Sequence, residues 1–155
     1  MRLKQINKWI EEGGDLPQDL TSKEKEHLEG LGWKENRQWY EINGQLWLEE
    51  SYLHGKKHGK YRRWFDNGQL WLEESYLHGM PHGVKRGWHD DGQLEYEYDY
   101  LHGKEHGKCR GWRSNGQLSW EKNYIHGIYH GAHRRWYKNG QLMLDEEWFY
   151  GNKIR

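Results

Sequence analysis

His58-Gly59-Lys60-Tyr61-Arg62-Arg63-Trp64-Phe65-Asp66-Asn67-Gly68-Gln69-Leu70-Trp71-Leu72-Glu73-Glu74-Ser75-Tyr76-Leu77-His78-Gly79 is the stretch that decides the fold. Its central Asn67-Gly68-Gln69-Leu70 recurs as Asn43-Gly44-Gln45-Leu46, Asp91-Gly92-Gln93-Leu94, Asn115-Gly116-Gln117-Leu118 and Asn139-Gly140-Gln141-Leu142, each 24 residues from the last. A period held without slippage means one small unit stacked repeatedly, each copy burying surface on its neighbours. The Asn-Gly step favours a hairpin turn, because both residues tolerate positive φ. Strand-like runs flank it, and His-Gly-x-x-His-Gly turns the chain into the next hairpin. The expected fold is mainly β: an elongated single-layer antiparallel sheet of about five stacked β-hairpin repeats. At ~4.8 Å per strand, ten strands would run on the order of 45 Å.

Turn geometry sets the expected faces. A two-residue Asn67-Gly68 loop would oppose Trp64 with Trp71. A three-residue Asp66-Asn67-Gly68 loop puts Gly68 in the left-handed bulge position and opposes Trp64 with Leu70. The second register gathers Arg62, Trp64, Leu70, Leu72 and Tyr76 on one face, with their counterparts in the other units. It is preferred because it collects the recurrent rings and aliphatics into one buried spine.

Composition sets the outer limits. The 155 residues suit one domain. Basic and acidic residues balance at 24 each, which argues against bulk electrostatic capture of nucleic acid or an acidic membrane. Mean hydropathy is −1.34, but 11 Trp and 11 Tyr supply the apolar surface that a disordered chain lacks. Cys109 is the only cysteine, which excludes an internal disulfide and points to a reducing compartment. With no long apolar run and no signal-peptide pattern at Met1–Gln5, a cytoplasmic location is expected.

Residues 1–35 fall outside the period and read as a helical N-terminal cap; 36–155 form the repeat stack. Leu3, Ile6 and Ile10 recur at helical spacing beside Trp9, and Gly13-Gly14 stops the run, giving a helix over residues 2–12. Thr21 and Glu24 have the spacing of a capping box for a second short helix before Gly30. A stack needs its open end covered, and the helices are assigned that role.

Three groups of residues invite a functional reading. Arg62, Arg86, Arg110 and Arg134 each precede a recurrent Trp64, Trp88, Trp112 or Trp136 by two positions. Such a ladder could stack bases or grip phosphate. The preferred reading is structural, with each Arg flat over a Trp and paired to the recurrent Glu49, Glu73, Glu97, Glu121 or Asp145. The His pairs 54/58, 78/82, 102/106 and 126/130 bracket glycine turns with no consistent third ligand, so turn packing is preferred to a metal site. No residue has the setting of a nucleophile or a phosphate-cradling loop, so no catalytic residue and no cofactor are expected. The face that varies between units is the candidate binding face: Trp47, Tyr61, Arg63, Phe65, Trp71, His89, Arg113 and Tyr137. Its aromatics would mark an interface if exposed. The alternative is that the two helices fold back over them.

The unit His-Gly-x-x-x-Arg-x-Trp-x-x-Asn-Gly-Gln-Leu-x-x-Glu-x-x-Tyr-x-x-Gly, from roughly Gln38 to Gly151, resembles the MORN repeat. Its Asn-Gly-Gln-Leu variant is similar to that of the YwqK-like antitoxin group. The resemblance implies stacked antiparallel hairpins and roles in protein interaction, sometimes lipid association, rather than chemistry. The expectation is a non-enzymatic protein-binding module, with an antitoxin-like or effector-neutralising role by occlusion of a protein target. Membrane-surface or phosphoinositide binding, and nucleic-acid or nucleotide binding by the Arg–Trp ladder, are the alternatives. The edge near Trp148 and Phe149 could also support an end-to-end homodimer.

Overall fold

The structure, a computed structural model, describes residues 2–155. Helices α1 (Arg2–Glu12) and α2 (Ser22–Gly30) come first, followed by β1 (Trp33–Trp39), β2 (Leu46–Leu53), β3 (Lys56–Lys57), β4 (Gly59–Trp64) and β5 (Leu70–Leu77). Next are β6 (Met80–Pro81), β7 (Gly83–Trp88), β8 (Leu94–Leu101), β9 (Lys104–Glu105), β10 (Gly107–Trp112) and β11 (Leu118–Ile125). The chain finishes with β12 (Ile128–Trp136), β13 (Leu142–Phe149) and β14 (Asn152–Lys153). Among the described residues, 14 strands make one open sheet, its long strands following chain order. Every pairing is antiparallel.

Each residue of the recurrent motif has a task in this sheet. The Phe65 N–H donates to the Gln69 carbonyl and the Gly68 N–H to the Phe65 carbonyl. Trp64 pairs with Leu70, and Gly68 has φ 85°. This is the three-residue loop with glycine in the left-handed position. Asn67 Oδ1 accepts from the Gln69 N–H at 2.9 Å while its Nδ2 donates to the Asp90 carbonyl of the next unit at 3.0 Å. Asn43 reaches the Asp66 carbonyl in the same way. A Cβ at Gly68 would meet Gln45 Oε1 at 3.1 Å, so the Gln of one unit lies over the Gly of the next. Asn and Gln thus bind unit to unit, which is why they recur with the turn.

The two-residue turn with both φ positive belongs instead to His-Gly. His54, His78 and His102 have φ 50° and their glycines are positive as well. Leu53 pairs with Lys56 across the first of these turns. Stacked turns are linked by the second residue: Gly79 donates to the Lys57 carbonyl and Gly103 to the Pro81 carbonyl.

The expected faces need correction beyond the turn. Arg63 pairs with Leu72 while Trp64 pairs with Leu70, leaving Trp71 as the extra residue of a bulge. The bulge shifts the alternation of β5 by one position, since side chains on a pleated strand have period two. Leu72 and Tyr76 therefore leave the Trp64 face. Lys60 and Arg62 meet Glu73 on one side; Trp71 meets Phe65 and Arg63, and Tyr76 meets Tyr61, on the other. The same shift recurs at Gly87/Trp88, Gly111/Trp112 and Arg135/Trp136.

The expected buried spine is overturned. Trp64, Trp88, Trp112 and Trp136 are only half-buried, and Leu142 is 47% exposed. A single-layer sheet has no second layer to bury them along its length. The dense core sits at one end, where Ile6, Trp9 and Leu28 of the helices meet Trp33 and Leu53 of the sheet. Leu3 is exposed, off the core side of α1. Gly13 has φ 74° and its N–H donates to the Trp9 carbonyl, ending α1. The Thr21–Glu24 capping box opens α2. β1 begins at Trp33, so the sheet starts inside the segment 1–35.

The helices lie over the Arg62 face. Asp15 from the segment between them pairs with Arg62, and a cavity of about 580 Å³ between segment and sheet is lined by Leu16, Pro17, Arg37, Arg62, Trp64 and Leu70 among others. This will be called the cap face. The Tyr61 side, the aromatic face, is not the one the helices cover.

Candidate binding face

The variable residues sort into one cluster and two extensions. Arg63 lies between two indoles, its guanidinium carbon 5.4 Å from the Trp47 ring and 4.4 Å from the Trp71 ring. Phe65 packs on Trp71 at 5.8 Å, and Tyr40 on Trp47 at 6.3 Å. A cation held between indole faces is attracted by both ring quadrupoles. His89, Arg113 and Tyr137 take the Phe65 position in the later units and extend the row. Arg113 Nη2 donates to the Trp136 carbonyl at 2.7 Å. The Nε2 of His89 and the Nε of Arg113 are buried without a protein partner, and Tyr137 is 48% exposed. Tyr61 joins a different group further along the strands, with Tyr76 and the Lys57 ammonium.

That second group runs through the middle of the sheet, and it was missed in sequence because the bulge was. Tyr98 contacts Tyr96, Tyr100 and Trp120 at 5.7, 6.3 and 5.5 Å. Tyr129 contacts Tyr124, His133 and Trp148 at 4.9, 5.2 and 5.2 Å. Burial, followed by the nearby Glu105, pushes the Tyr100 hydroxyl up to about 12. Burial likewise raises Tyr98 and Cys109. A signal did exist in the sequence. Where Arg63 opposes Leu72, the next units oppose Gly87 with Tyr96 and Gly111 with Trp120, and Arg135 again opposes Leu144. A Cβ at Gly87 would lie 2.3 Å from the Tyr96 ring, and one at Gly111 2.2 Å from Trp120 Nε1. The large ring lies flat over the glycine opposite, so the two positions exchange size in step.

On the cap face, the Arg series is held by carboxylates. Arg62 Nε donates to Glu73 at 2.8 Å and Nη1 to Glu49 at 3.2 Å. Arg86–Glu97, Arg110–Glu121 and Arg134–Asp145 follow at 2.7, 3.0 and 3.0 Å. The ion pairing matches the structural reading of the ladder. Its other half is corrected: the guanidinium over indoles is that of Arg63, while Arg62 is turned to Glu73, Glu49 and Asp15.

The histidines pair across units. His58 and His78 rings are 4.8 Å apart, His82 and His102 6.0 Å, and His106 and His126 4.9 Å. His58 is fully buried, its Nε2 at 2.7 Å from the Trp9 carbonyl and its Nδ1 accepting the His78 N–H. The neutral Nε2–H tautomer satisfies both contacts. Burial drives its pKa below 6.5, with the Trp9 carbonyl opposing and His78 and His54 assisting. Among the described residues no group of three or more His, Cys, Asp or Glu could hold a metal ion, and no helix is long and apolar enough to cross a membrane.

No curated protein matches the chain. MORN repeats are generally a non-enzymatic repeat module, often binding membranes or proteins. The hairpin β10–β11 shares the register of the later units, whereas β1–β2 is offset by one residue, Gln38 pairing with Leu48 and Trp39 with Leu46 around a longer loop; both lie outside the matched segments. Residues 57–78, 81–102 and 129–152 match the family described as the MORN repeat variant, and in these three segments the chain carries that repeat.

Proposed function

We propose that the chain is a protein-binding module that engages its target with the aromatic face, acting by occlusion in the manner of an antitoxin or effector-neutralising inhibitor. The observation that carries this is the Trp47–Arg63–Trp71–Phe65 cluster lying on the side of the sheet opposite the helices. Tryptophan and arginine are the residues that most often dominate interface energetics. Net charge is zero and the Arg62 series is committed to carboxylates, which favours a protein over a phosphate-rich ligand.

Capture from the source cell with the full chain tests the reading, comparing wild type, Trp47→Ala/Trp71→Ala on the aromatic face and Trp112→Ala on the cap face. Wild type and the cap-face variant should recover the same protein and the aromatic-face variant should lose it, with its melting transition retained. Recovery of no protein by the wild type, or equal recovery by all three, overturns the assignment.

A further inference from the structure

The segment between the two helices shows how a peptide sits on the cap face. Asp15 lies outside any helix or strand, and its carboxylate accepts from Arg62 Nη2. Leu16 and Pro17 beside it line one cavity with Lys60, Arg62, Trp64 and Leu70 of the sheet. Glu73 holds Arg62 Nε at 2.8 Å and Lys60 at 3.3 Å. The seat under Asp15 is thus two cations and an indole along one strand, facing a glutamate and a leucine on the next.

That set recurs two units on. The position of Lys60 is Val84, Lys108 and Ala132 in the later units, so only Lys108-Cys109-Arg110-Gly111-Trp112 again places both cations ahead of the indole. Glu121 and Leu118 take the places of Glu73 and Leu70, and Glu121 holds Arg110 Nε at 3.0 Å and Lys108 at 3.8 Å. A counterpart of Asp15 is missing. Neither terminal nitrogen of Arg110 donates a hydrogen bond among the described residues, and Glu97, in the place of the Glu49 that takes Arg62 Nη1, is bound to Arg86. The side chains of Lys108 and Arg110 are 48% and 37% exposed, against 23% and 20% for Lys60 and Arg62. Trp112 and Leu118 are half-buried with no helix among the elements beside them. Asp99 stands where Ser51 stands beside the first seat, and among the described residues no ion pair joins it to either cation.

We propose that Lys108, Arg110, Trp112 and Leu118 form a second seat of the same kind, which takes an extended segment of a partner protein carrying an acidic side chain next to an apolar one. The carboxylate meets the open edge of the Arg110 guanidinium as Asp15 meets that of Arg62, and the apolar neighbour covers the Trp112 ring. A foreign segment is favoured over the same segment of a second copy, because Leu16 and Leu20 hold that segment against the helical core of its own chain. The seat lies on the side opposite Trp47 and Trp71 and does not depend on what the aromatic face binds.

The probe is a synthetic copy of residues 13–20, Gly-Gly-Asp-Leu-Pro-Gln-Asp-Leu with blocked ends, titrated into the intact chain and followed at the Trp112 indole N–H resonance. It should bind saturably, and the same peptide with Asn in place of both aspartates should not. Arg110→Gln should weaken binding about tenfold or more, the loss of a charge-assisted contact. Lys108→Val, which copies Val84, should weaken it roughly threefold, and Asp99→Ser, which copies Ser51, should strengthen it by about as much. Lys4→Gln, an equal change of charge on α1, and Trp47→Ala/Trp71→Ala should leave binding unchanged. No saturable binding, equal binding of the Asn peptide, undiminished binding by Arg110→Gln or equal weakening by Lys4→Gln would overturn the seat. A concentration-dependent dimer abolished by Asp15→Asn and by Arg110→Gln would give the seat to a second copy and overturn a foreign segment. Association with phosphatidylserine vesicles that Arg110→Gln abolishes, without peptide binding, would overturn it in favour of a lipid phosphate.

Discussion

The capped end of the sheet and its middle solve the same packing problem differently. At the capped end, helices supply a second layer, and Ile6, Trp9, Leu28, Trp33 and Leu53 reach 7% exposure or less. In the middle there is no second layer, and rings are flattened onto the backbone itself, Tyr96 over Gly87 and Trp120 over Gly111. Both glycines are buried as a result. A one-layer repeat can thus hide backbone without a core, provided that each bulky ring faces a residue with no side chain.

The largest effect expected from this contrast lies in the two classes of tryptophan. Trp9→Ala should cost about 3–5 kcal/mol, the range for removing a fully buried indole. Trp112→Ala, at a half-buried site with water already on one side, should cost roughly 2 kcal/mol or less. Urea denaturation of the full chain checks this. Equal losses would mean that the helical layer is not where stability concentrates.

Next in size is the exchange between ring and glycine. Gly111 does not have a positive φ, so alanine there meets no backbone strain, only Trp120. Gly111→Ala should cost about 1–3 kcal/mol by displacing the indole. Gly111→Arg with Trp120→Leu imports the Arg63–Leu72 pair of an earlier unit and should restore most of the loss. A double-mutant cycle should give a favourable coupling of at least ~1 kcal/mol. Additive effects would show that the two positions vary independently.

How far these features could be read from sequence follows from the physics of each. The hairpins, their three-residue loops and the Thr21–Glu24 box were legible because Asn-Gly, Gly68 and the capping spacing are local signals. The pairing of Arg62 with Glu73 was legible because both residues recur. The bulge at Trp71 was not, because an extra residue leaves no local mark while inverting everything beyond it. Leu72 and Tyr76 went to the wrong side for that reason, and the Tyr98 group went unnoticed with them. The buried spine failed on another ground: recurrence shows that a residue is required by the stack, not that anything covers it. Of the candidate residues, Trp47, Arg63, Phe65 and Trp71 converge in one cluster, while His89, Arg113 and Tyr137 merely continue their row.

Acidification should separate the two ends by a smaller margin. His58 is buried neutral against the Trp9 carbonyl, with its pKa below the ordinary 6.5. The unfolded chain therefore binds the proton more readily, and stability falls as pH drops from about 6.5 toward the lowered value. The indole N–H resonance of Trp9 should shift before those of the later units between pH 7 and 5. His58→Gln should flatten that dependence. An unaltered slope would place the pH response elsewhere.

The smallest difference is expected between two rungs of the Arg ladder. Arg62 is bound to Glu73, Glu49 and Asp15, and its side chain is 20% exposed; Arg110 is bound to Glu121 and is 37% exposed. An exposed pair contributes about 0–1 kcal/mol, because water screens it and two long side chains must be ordered. A guanidinium shared by three carboxylates and partly covered leaves those acids facing one another once it is removed. Arg110→Gln should therefore cost under ~1 kcal/mol and lose its effect in 1 M salt, where screening is short-ranged. Arg62→Gln should cost about 1–2 kcal/mol and keep part of it in salt, because Asp15 ties the segment between the helices to the sheet through that one side chain. If the two variants behave alike at both salt concentrations, the cap is held by its apolar core alone and Asp15 contributes nothing to its attachment.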